Sequence, residues 1–222
     1  NKSKRKATNT TLIRLSEDQN KFQKELNTEL TINFSSQAKI NKKWIMSGLN
    51  YSNLTSHLKY GGQVNKFSKY KFKKIPQGAI KENPLIIKEN YFITVSEKGS
   101  IVKFVDRRKV QWNRNVYSKK EKKKIENISL ALYKDKLYAI DNLGKYYAID
   151  VDSGKIIWVK RHKALFSSQI KVNKGKIYAV DSNNVINCFS TTDGKQIWKF
   201  ETPPTFIKTN KKLSIIVTPN SV

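Results

Sequence analysis

The sequence predicts an all-β protein built from repeated four-stranded antiparallel sheets. Residues 137–158 read LYAIDNLGKYYAIDVDSGKIIW, in which short β-rich apolar runs alternate with turn residues. The same pattern returns as IYAVDSNNVINCFSTTDGKQIW at residues 177–198 and, in weaker form, at residues 91–112. Each unit has room for four short strands and no helix, which indicates a repeated meander of strands.

The spacing of the repeats indicates which all-β architecture they form. Trp112 and Trp158 are 46 residues apart in the sequence, and Trp158 and Trp198 are 40 apart. Four-stranded units of about 40–45 residues are typical of β-propeller blades. The chain has room for three blades and part of a fourth, whereas a closed ring needs at least about four. We therefore expect an open arc that is part of a longer chain.

Residues 1–43 are predicted to form a polar, Lys-rich N-terminal arm, and its first residues, NKSKRKATNTT, are expected to be disordered. Residues 16–19 read Ser-Glu-Asp-Gln, which has the form of a helix capping box. Phe22, Leu26 and Leu30 follow at helical spacing. The pattern predicts a short helix from about residue 17 to residue 28, which either docks on the propeller or binds a partner.

Residues 44–83 are predicted to contain a strap and a latch strand. The first part is irregular and suggests a strap or plug across one propeller face. Its motif residues are Trp44, Gly48, Asn50 and His57. No second metal-ligating side chain lies at a suitable spacing from His57, so we expect a structural role for it. Residues 64–75 alternate apolar and basic side chains, which predicts an exposed strand that completes the last blade of a closed ring.

Residues 84–222 are predicted to form the blades. Their expected bounds are 84–113, 128–160, 166–200 and, for the partial fourth, 206–222. Strands are expected at 85–88, 91–96, 100–105 and 109–112, at 128–133, 136–140, 145–150 and 155–159, and at 169–172, 176–181, 185–189 and 196–200. A charged insertion, YSKKEKKKIEN, separates the first two blades. Such a run is usually a solvated loop; the alternative is a docking loop for an acidic partner or for lipid head groups.

The recurring residues of the blades have structural explanations. Gly154 and Gly194 can adopt the positive φ that tight hairpins demand. The Trp after each turn lies on the predicted outer strand, where it can fill the wedge between blades, and its truncation to Ala typically costs about 3–5 kcal/mol. The residues that we expect to repeat in these roles are Trp112, Trp158, Trp198, Gly154, Gly194, Asp150, Asp193, Lys155 and Lys195.

The composition suggests solvated lysine rather than a nucleic-acid reader. The formal net charge is +27, from 44 Lys and Arg against 17 Asp and Glu. Such a charge raises nucleic acid or an anionic membrane as a partner. However, only six of these cations are Arg, they are spread along the chain, and base readers depend on Arg forks. We therefore expect no specific nucleic-acid binding. The only cysteine, Cys188, is expected to be a buried small hydrophobe.

The sequence carries no recognisable motif for catalysis or metal binding. Asp141, Asp150 and Asp152 do not fit a calcium loop, because Gly154 falls at the fifth position from Asp150 and an EF-hand needs Gly at the sixth. The motifs of phosphate loops and of activated nucleophiles do not occur. We predict that the chain has no catalytic residue, no cofactor and no metal site.

The blade unit resembles the repeat of the PQQ-like propellers, whose blades end in the pattern Ala-x-Asp-x-x-Thr-Gly-Lys-x-x-Trp. The matching residues are Ala148, Asp150, Ser153, Gly154, Lys155 and Trp158 in the second blade, Asp193, Gly194, Lys195 and Trp198 in the third, and Asp106, Lys109 and Trp112 in the first. The resemblance covers roughly residues 84–217. It implies the propeller fold but no single activity.

The N-terminal half adds a narrower resemblance. Trp44, Gly48, Asn50 and His57, followed by a strand and by Pro84, resemble the alphaproteobacterial form of the BamB family. That resemblance implies eight blades, a periplasmic location, a lipid anchor outside this chain and a non-catalytic scaffold role at the outer membrane. The implied partners are the barrel-inserting subunit BamA and unfolded outer-membrane proteins. The alternatives are a fragment of a PQQ-dependent dehydrogenase and a polyanion-binding propeller.

Overall fold

The computed structural model describes residues 37–55, 57–59, 61, 84–105, 109–201, 213–218 and 222. The predicted helix at 17–28 and the predicted latch strand at 64–75 lie outside these residues. The strands are β1 (Lys43–Trp44), β2 (Leu85–Lys88), β3 (Tyr91–Val95), β4 (Ile101–Val105), β5 (Lys109–Arg114), β6 (Ile128–Tyr133), β7 (Lys136–Asp141), β8 (Lys145–Asp150), β9 (Ile156–Arg161), β10 (Lys171–Asn173), β11 (Lys176–Val180), β12 (Val185–Ser190) and β13 (Gln196–Glu201). Among the described residues, two 3-10 helices span Glu97–Gly99 and Glu121–Lys123.

The strands form three antiparallel sheets, each a meander in chain order. The first sheet has the order β1-β2-β3-β4-β5, the second β6-β7-β8-β9 and the third β10-β11-β12-β13. Every Trp of the repeat lies on the last strand of its sheet and pairs with the residue that precedes a register shift on the neighbouring strand. These pairs are Lys103 with Trp112, Ala148 with Trp158, and Cys188 with Trp198. The predicted repeat is therefore present in the backbone as well as in the sequence.

The first sheet has one strand more than the four predicted. β1 spans the boundary between the predicted N-terminal arm and the predicted irregular strap, and it pairs antiparallel with β2 through Lys43 with Lys88 and Trp44 with Ile87. The prediction missed it because a two-residue strand is too short to show an alternating pattern.

The sheets stack face to face in chain order, and each interface is a core. Buried residues of the first and second sheets, including Ile93 and Leu137, form one apolar cluster. Residues of the second and third sheets, including Tyr138 and Phe189, form another. A third cluster joins the third sheet to residues 213–217 and contains Cys188, whose thiol pKa is raised to about 11 by burial. The described part of the chain is thus an open arc of propeller blades.

The outer strands contact the next sheet through Trp and Gly. The indole N–H of Trp112 donates to the carbonyl of Val151 at 2.7 Å, and a Cβ built on Gly154 would lie 2.6 Å from Trp112 Cγ. In the next interface Trp158 donates to the carbonyl of Thr191 at 3.3 Å, and a Cβ on Gly194 would lie 2.8 Å from Trp158 Cζ3. Each ring therefore lies directly on the glycine turn of the following sheet.

Replacing Gly154 by Ala tests both requirements of the turn, which are a positive φ and room for the Trp112 ring. The new Cβ would be strained at φ +68 and would also overlap the Trp112 ring, so we expect a loss of about 3 kcal/mol in the free energy of unfolding. Gly175 is the matched control, because it has φ +75 but its Cβ would meet nothing nearer than Thr191 Oγ1 at 3.7 Å. Gly175→Ala should cost about 1 kcal/mol. Equal losses in denaturant titrations would show that the Trp contact imposes no constraint.

Candidate interaction surfaces and the strap that organises them

The strap, residues 43–54, runs across the inner edges of the sheets. Apart from β1, which belongs to the strap, the inner strands are β2, β6 and β10, because the Trp-bearing strand lies at the other end of each strand order. After β1 has paired with β2, the N–H of Leu132 on β6 donates to the carbonyl of Ile45 at 2.7 Å. Further along, the carbonyl of Tyr51 accepts the N–H of Val217 at 2.9 Å. The strap therefore connects segments that are far apart in the sequence.

Lys171 on β10 links the strap to the third sheet. Its ammonium donates to the carbonyls of Ser47 and Asn50, the latter at 2.9 Å, and to the side-chain oxygen of Asn53. Burial lowers the pKa of Lys171 to about 8, and the three oxygen acceptors oppose that shift because they favour the charged form. A buried cation with three acceptors satisfies its hydrogen-bonding capacity completely.

Two residues of the strap motif shape the turn around this ammonium. Gly48 has φ +72, and a Cβ there would lie 2.1 Å from Asn53 Oδ1 and 3.3 Å from Lys171 Nζ. Asn50 Oδ1 accepts the backbone N–H of Ser52 at 3.1 Å and that of Leu54 at 3.2 Å. Gly48 permits the close approach of Asn53 and of the Lys171 ammonium, and Asn50 fixes the turn. The strap residues that surround the ammonium are therefore chosen by the space and the hydrogen bonds that it needs.

The other two motif residues lie away from the Lys171 ammonium. Trp44 lies on β1 and is about one third exposed (38%). His57 is exposed, and its backbone carbonyl accepts the N–H of Lys39 at 2.9 Å. Lys171 belongs to none of the motifs recognised in the sequence. The available signal was a lysine between Ile170 and Val172 in the predicted first strand of a blade.

The repeated turn residues organise the turns on which the indoles lie. Asp150 Oδ1 accepts the N–H of Ser153 at 2.8 Å and its hydroxyl at 2.6 Å, and these bonds hold the pKa of Asp150 below its usual value. Asp193 Oδ1 accepts the N–H of Lys195 at 3.1 Å. The side chains of Lys155 and Lys195 are exposed. Trp198 packs against Tyr178, with ring centroids 6.1 Å apart.

Two buried aspartates that the sequence analysis did not assign to a structural role close equivalent turns in the second and third sheets. Asp141 accepts the hydroxyl of Tyr117 at 2.6 Å and the backbone N–H groups of Leu143 and Lys145, each at 2.8 Å. Burial raises the pKa of Asp141. Asp181 lies 3.0 Å from His162 Nε2 and accepts the backbone N–H of Asn183 at 2.9 Å. The 40-residue recurrence of these aspartates was the signal that could have found them.

The charged insertion at 117–127 exposes most of its lysines, as expected of a solvated loop, but it is also anchored on the sheets. Tyr117 and Ile125 are buried in the core between the first and second sheets. Glu121 pairs with Lys145 at 3.0 Å and with Arg161 at 2.5 Å. The N–H of Ser118, and then Lys145, lower the pKa of Glu121 to about 2. The insertion is therefore held on the sheets by both apolar and ionic contacts.

The second interface has a cavity where the first has this insertion. It measures about 710 Å³ and is lined by residues that include His162, Asp181, Asn187 and Lys199. At the positions of Lys145 and Arg161 the third sheet has Val185 and Glu201, so the ion pairs of the first interface are not reproduced. Throughout the described residues, every buried side-chain nitrogen and oxygen has a hydrogen-bond partner.

Within the described ranges, no group of three or more His, Cys, Asp or Glu side chains is placed to hold a metal ion. The helices among those residues are too short and too polar for any to span a bilayer.

The comparisons with known proteins identify the family. The family model described as "Outer membrane protein assembly factor BamB" matches residues 97–220, which is more than half of the chain. The chain belongs to this family and is a PQQ-like β-propeller protein. No protein in the curated set matches the sequence.

Solved structures share the fold at low sequence identity. A quinohemoprotein alcohol dehydrogenase, ADHIIG from Pseudomonas putida HK5, is 16% identical over 73% of this chain, with a TM-score of 0.58. A europium-containing methanol dehydrogenase is 13% identical over 71% of this chain, with a TM-score of 0.57. BamB from Moraxella catarrhalis is 14% identical over 57% of this chain, with a TM-score of 0.41. The chain spans only 27%, 31% and 35% of those proteins, respectively.

Replacing Lys171 by Met should release the strap. Methionine fills a similar volume but donates no hydrogen bond, so three oxygen acceptors lose their donor, and we expect the free energy of unfolding to fall by about 3 kcal/mol. Hydrogen exchange should accelerate at Leu132 and Val217, whose amides donate to the strap. Lys176→Met is the matched control, because Lys176 is exposed near the other end of the same hairpin. Unchanged exchange in Lys171→Met would show that the ammonium does not hold the strap.

Proposed function

We propose that this chain is part of a non-catalytic scaffold in the assembly of outer-membrane β-barrel proteins. The observation that carries the proposal is the match of the BamB family model across residues 97–220. In this proposal the protein is periplasmic and is attached to the outer membrane by a lipid anchor outside this chain. Its partners are the barrel-inserting subunit and unfolded outer-membrane proteins.

The architecture suits that role physically. Three sheets joined by Trp contacts on the outside and by a strap on the inside form a stiff body that can hold a partner without rearranging. A scaffold gains affinity from such stiffness, because little conformational entropy is lost on binding.

The outer strand of the second sheet offers a means of holding unfolded clients. β9 is the last strand in its sheet, and its side chains Ile157 and Val159 are 41% and 43% exposed. An extended client segment can add to such an edge through backbone hydrogen bonds. We propose this edge as the client-binding site.

Co-purification is the test of the proposed function. The full chain, extracted in mild detergent from cells that make the barrel-inserting subunit, should retain that subunit. Val159→Lys should reduce the capture of unfolded outer-membrane protein, because a lysine on an edge strand opposes strand addition. Leu54→Lys is the control, since Leu54 is an exposed apolar residue of the strap (72%). Absence of the subunit from wild-type preparations would contradict the proposal.

The second candidate is a fragment of a PQQ-dependent dehydrogenase, which the two dehydrogenase structures suggest through the fold alone. Addition of PQQ and Ca²⁺ should produce neither bound cofactor nor dye reduction if the chain is a scaffold. Stoichiometric binding of PQQ would favour the enzyme instead.

A further inference from the structure

The antiparallel meander sorts the loops of the arc into two ends. Connections between successive sheets lie at the same end as the β3–β4, β7–β8 and β11–β12 turns, and the remaining turns lie at the opposite end. Asn142, in the turn after β7, confirms the grouping, because it donates to the carbonyl of Lys124 at 3.1 Å and accepts the N–H of Glu126 at 2.9 Å. We call this end of the arc the connection end.

The connection end carries a cluster of exposed lysines. They are Lys119, Lys120, Lys123 and Lys124 of the insertion and Lys163 of the next connection. Among the described residues none of the five forms an ion pair. Of the insertion's two acids, Glu121 is directed inward to Lys145 and Arg161, which leaves Glu126 as the exposed one.

The insertion presents these lysines on an ordered support. Ser118 and Glu121 form a capping box, with the Ser118 N–H donating to Glu121 Oε2 at 2.8 Å and the Glu121 N–H donating to Ser118 Oγ at 3.3 Å. Together with the buried Tyr117 and Ile125, this box fixes the loop before any partner arrives. Binding then costs little backbone ordering.

The opposite end is more evenly charged. Its exposed lysines include Lys134, Lys136, Lys155, Lys174, Lys176 and Lys195, and exposed or half-exposed acids accompany them there. These acids include Glu89, Asp135, Asp152 and Asp193. Both ends are positive among the described loops, and the excess of lysine over acid is larger at the connection end.

We propose that the connection end is an electrostatic docking surface for an anionic lipid bilayer. Exposed lysines carry point charges on flexible side chains, which suit a dense field of head groups that requires no fixed geometry. Leu165, which is 50% exposed beside Lys163, can add an apolar contact at the bilayer surface.

An acidic protein is the competing partner. The bilayer is favoured because arginine at this end is already engaged in an ion pair and is not available to bind carboxylates. Recognition of carboxylates is strongest with bidentate Arg forks. Arg161, at the end of β9 that leads into the next connection, already pairs with Glu121 at 2.5 Å. Unpaired charge at the connection end is thus carried by lysine.

Vesicle flotation of the full chain tests the proposal. The chain should bind vesicles of phosphatidylcholine with about 30% phosphatidylglycerol, and it should not bind pure phosphatidylcholine. The variant combines K119Q, K120Q, K123Q and K124Q. We expect roughly six-hundredfold weaker binding, because each of the four lysines contributes about fivefold near an anionic surface.

The matched control combines K136Q, K155Q, K174Q and K176Q, which removes the same charge from the opposite end and keeps the basic N-terminal segment. Its affinity should change by less than about threefold. Circular dichroism should be the same for all three proteins, because every replaced side chain is exposed.

Equal losses in the two variants would overturn the proposal, because binding would then depend on net charge alone. It would also fail if wild type did not float with anionic vesicles. Saturable binding of a poly-glutamate peptide at the same lysines, without vesicle binding, would assign the surface to an acidic protein instead.

Discussion

The contact between an outer-strand tryptophan and the glycine turn of the next sheet is the constraint on which the rest of the structure depends. It requires Gly for two reasons at once, a positive φ and the absence of a Cβ where the ring lies. It also requires Trp, because the indole N–H reaches a carbonyl of the same turn. A single geometric relation between neighbouring sheets therefore explains why Gly and Trp recur together in the sequence.

The strap connects the sheets at their inner edges, as the tryptophans connect them at their outer edges. A first strand at the inner edge would otherwise expose unpaired backbone groups, and the strap supplies partners for them on β2 and β6. On β10 the connection is a side chain, the buried ammonium of Lys171. The stack is thus fixed at both edges, which is the property that a scaffold needs.

Much of the fold could be predicted from the sequence, because turn chemistry and apolar alternation are local signals. The strands from Leu85 to Glu201 lie where the pattern predicted them, to within about two residues. Long-range polar contacts could not be predicted in the same way. Lys171 donates to strap carbonyls more than a hundred residues away in the sequence. Glu121 pairs with Lys145 although it belongs to a charged run that the sequence predicts to be solvated. Periodicity does not encode such pairings.

A double-mutant cycle between Trp112→Ala and Gly154→Ala tests the central claim most directly. If the ring lies on the glycine, Gly154→Ala should cost less once the indole is gone, because only the backbone strain remains. The account predicts a coupling free energy of about 2 kcal/mol between the two substitutions in denaturant unfolding. Additive effects, with a coupling near zero, would contradict it.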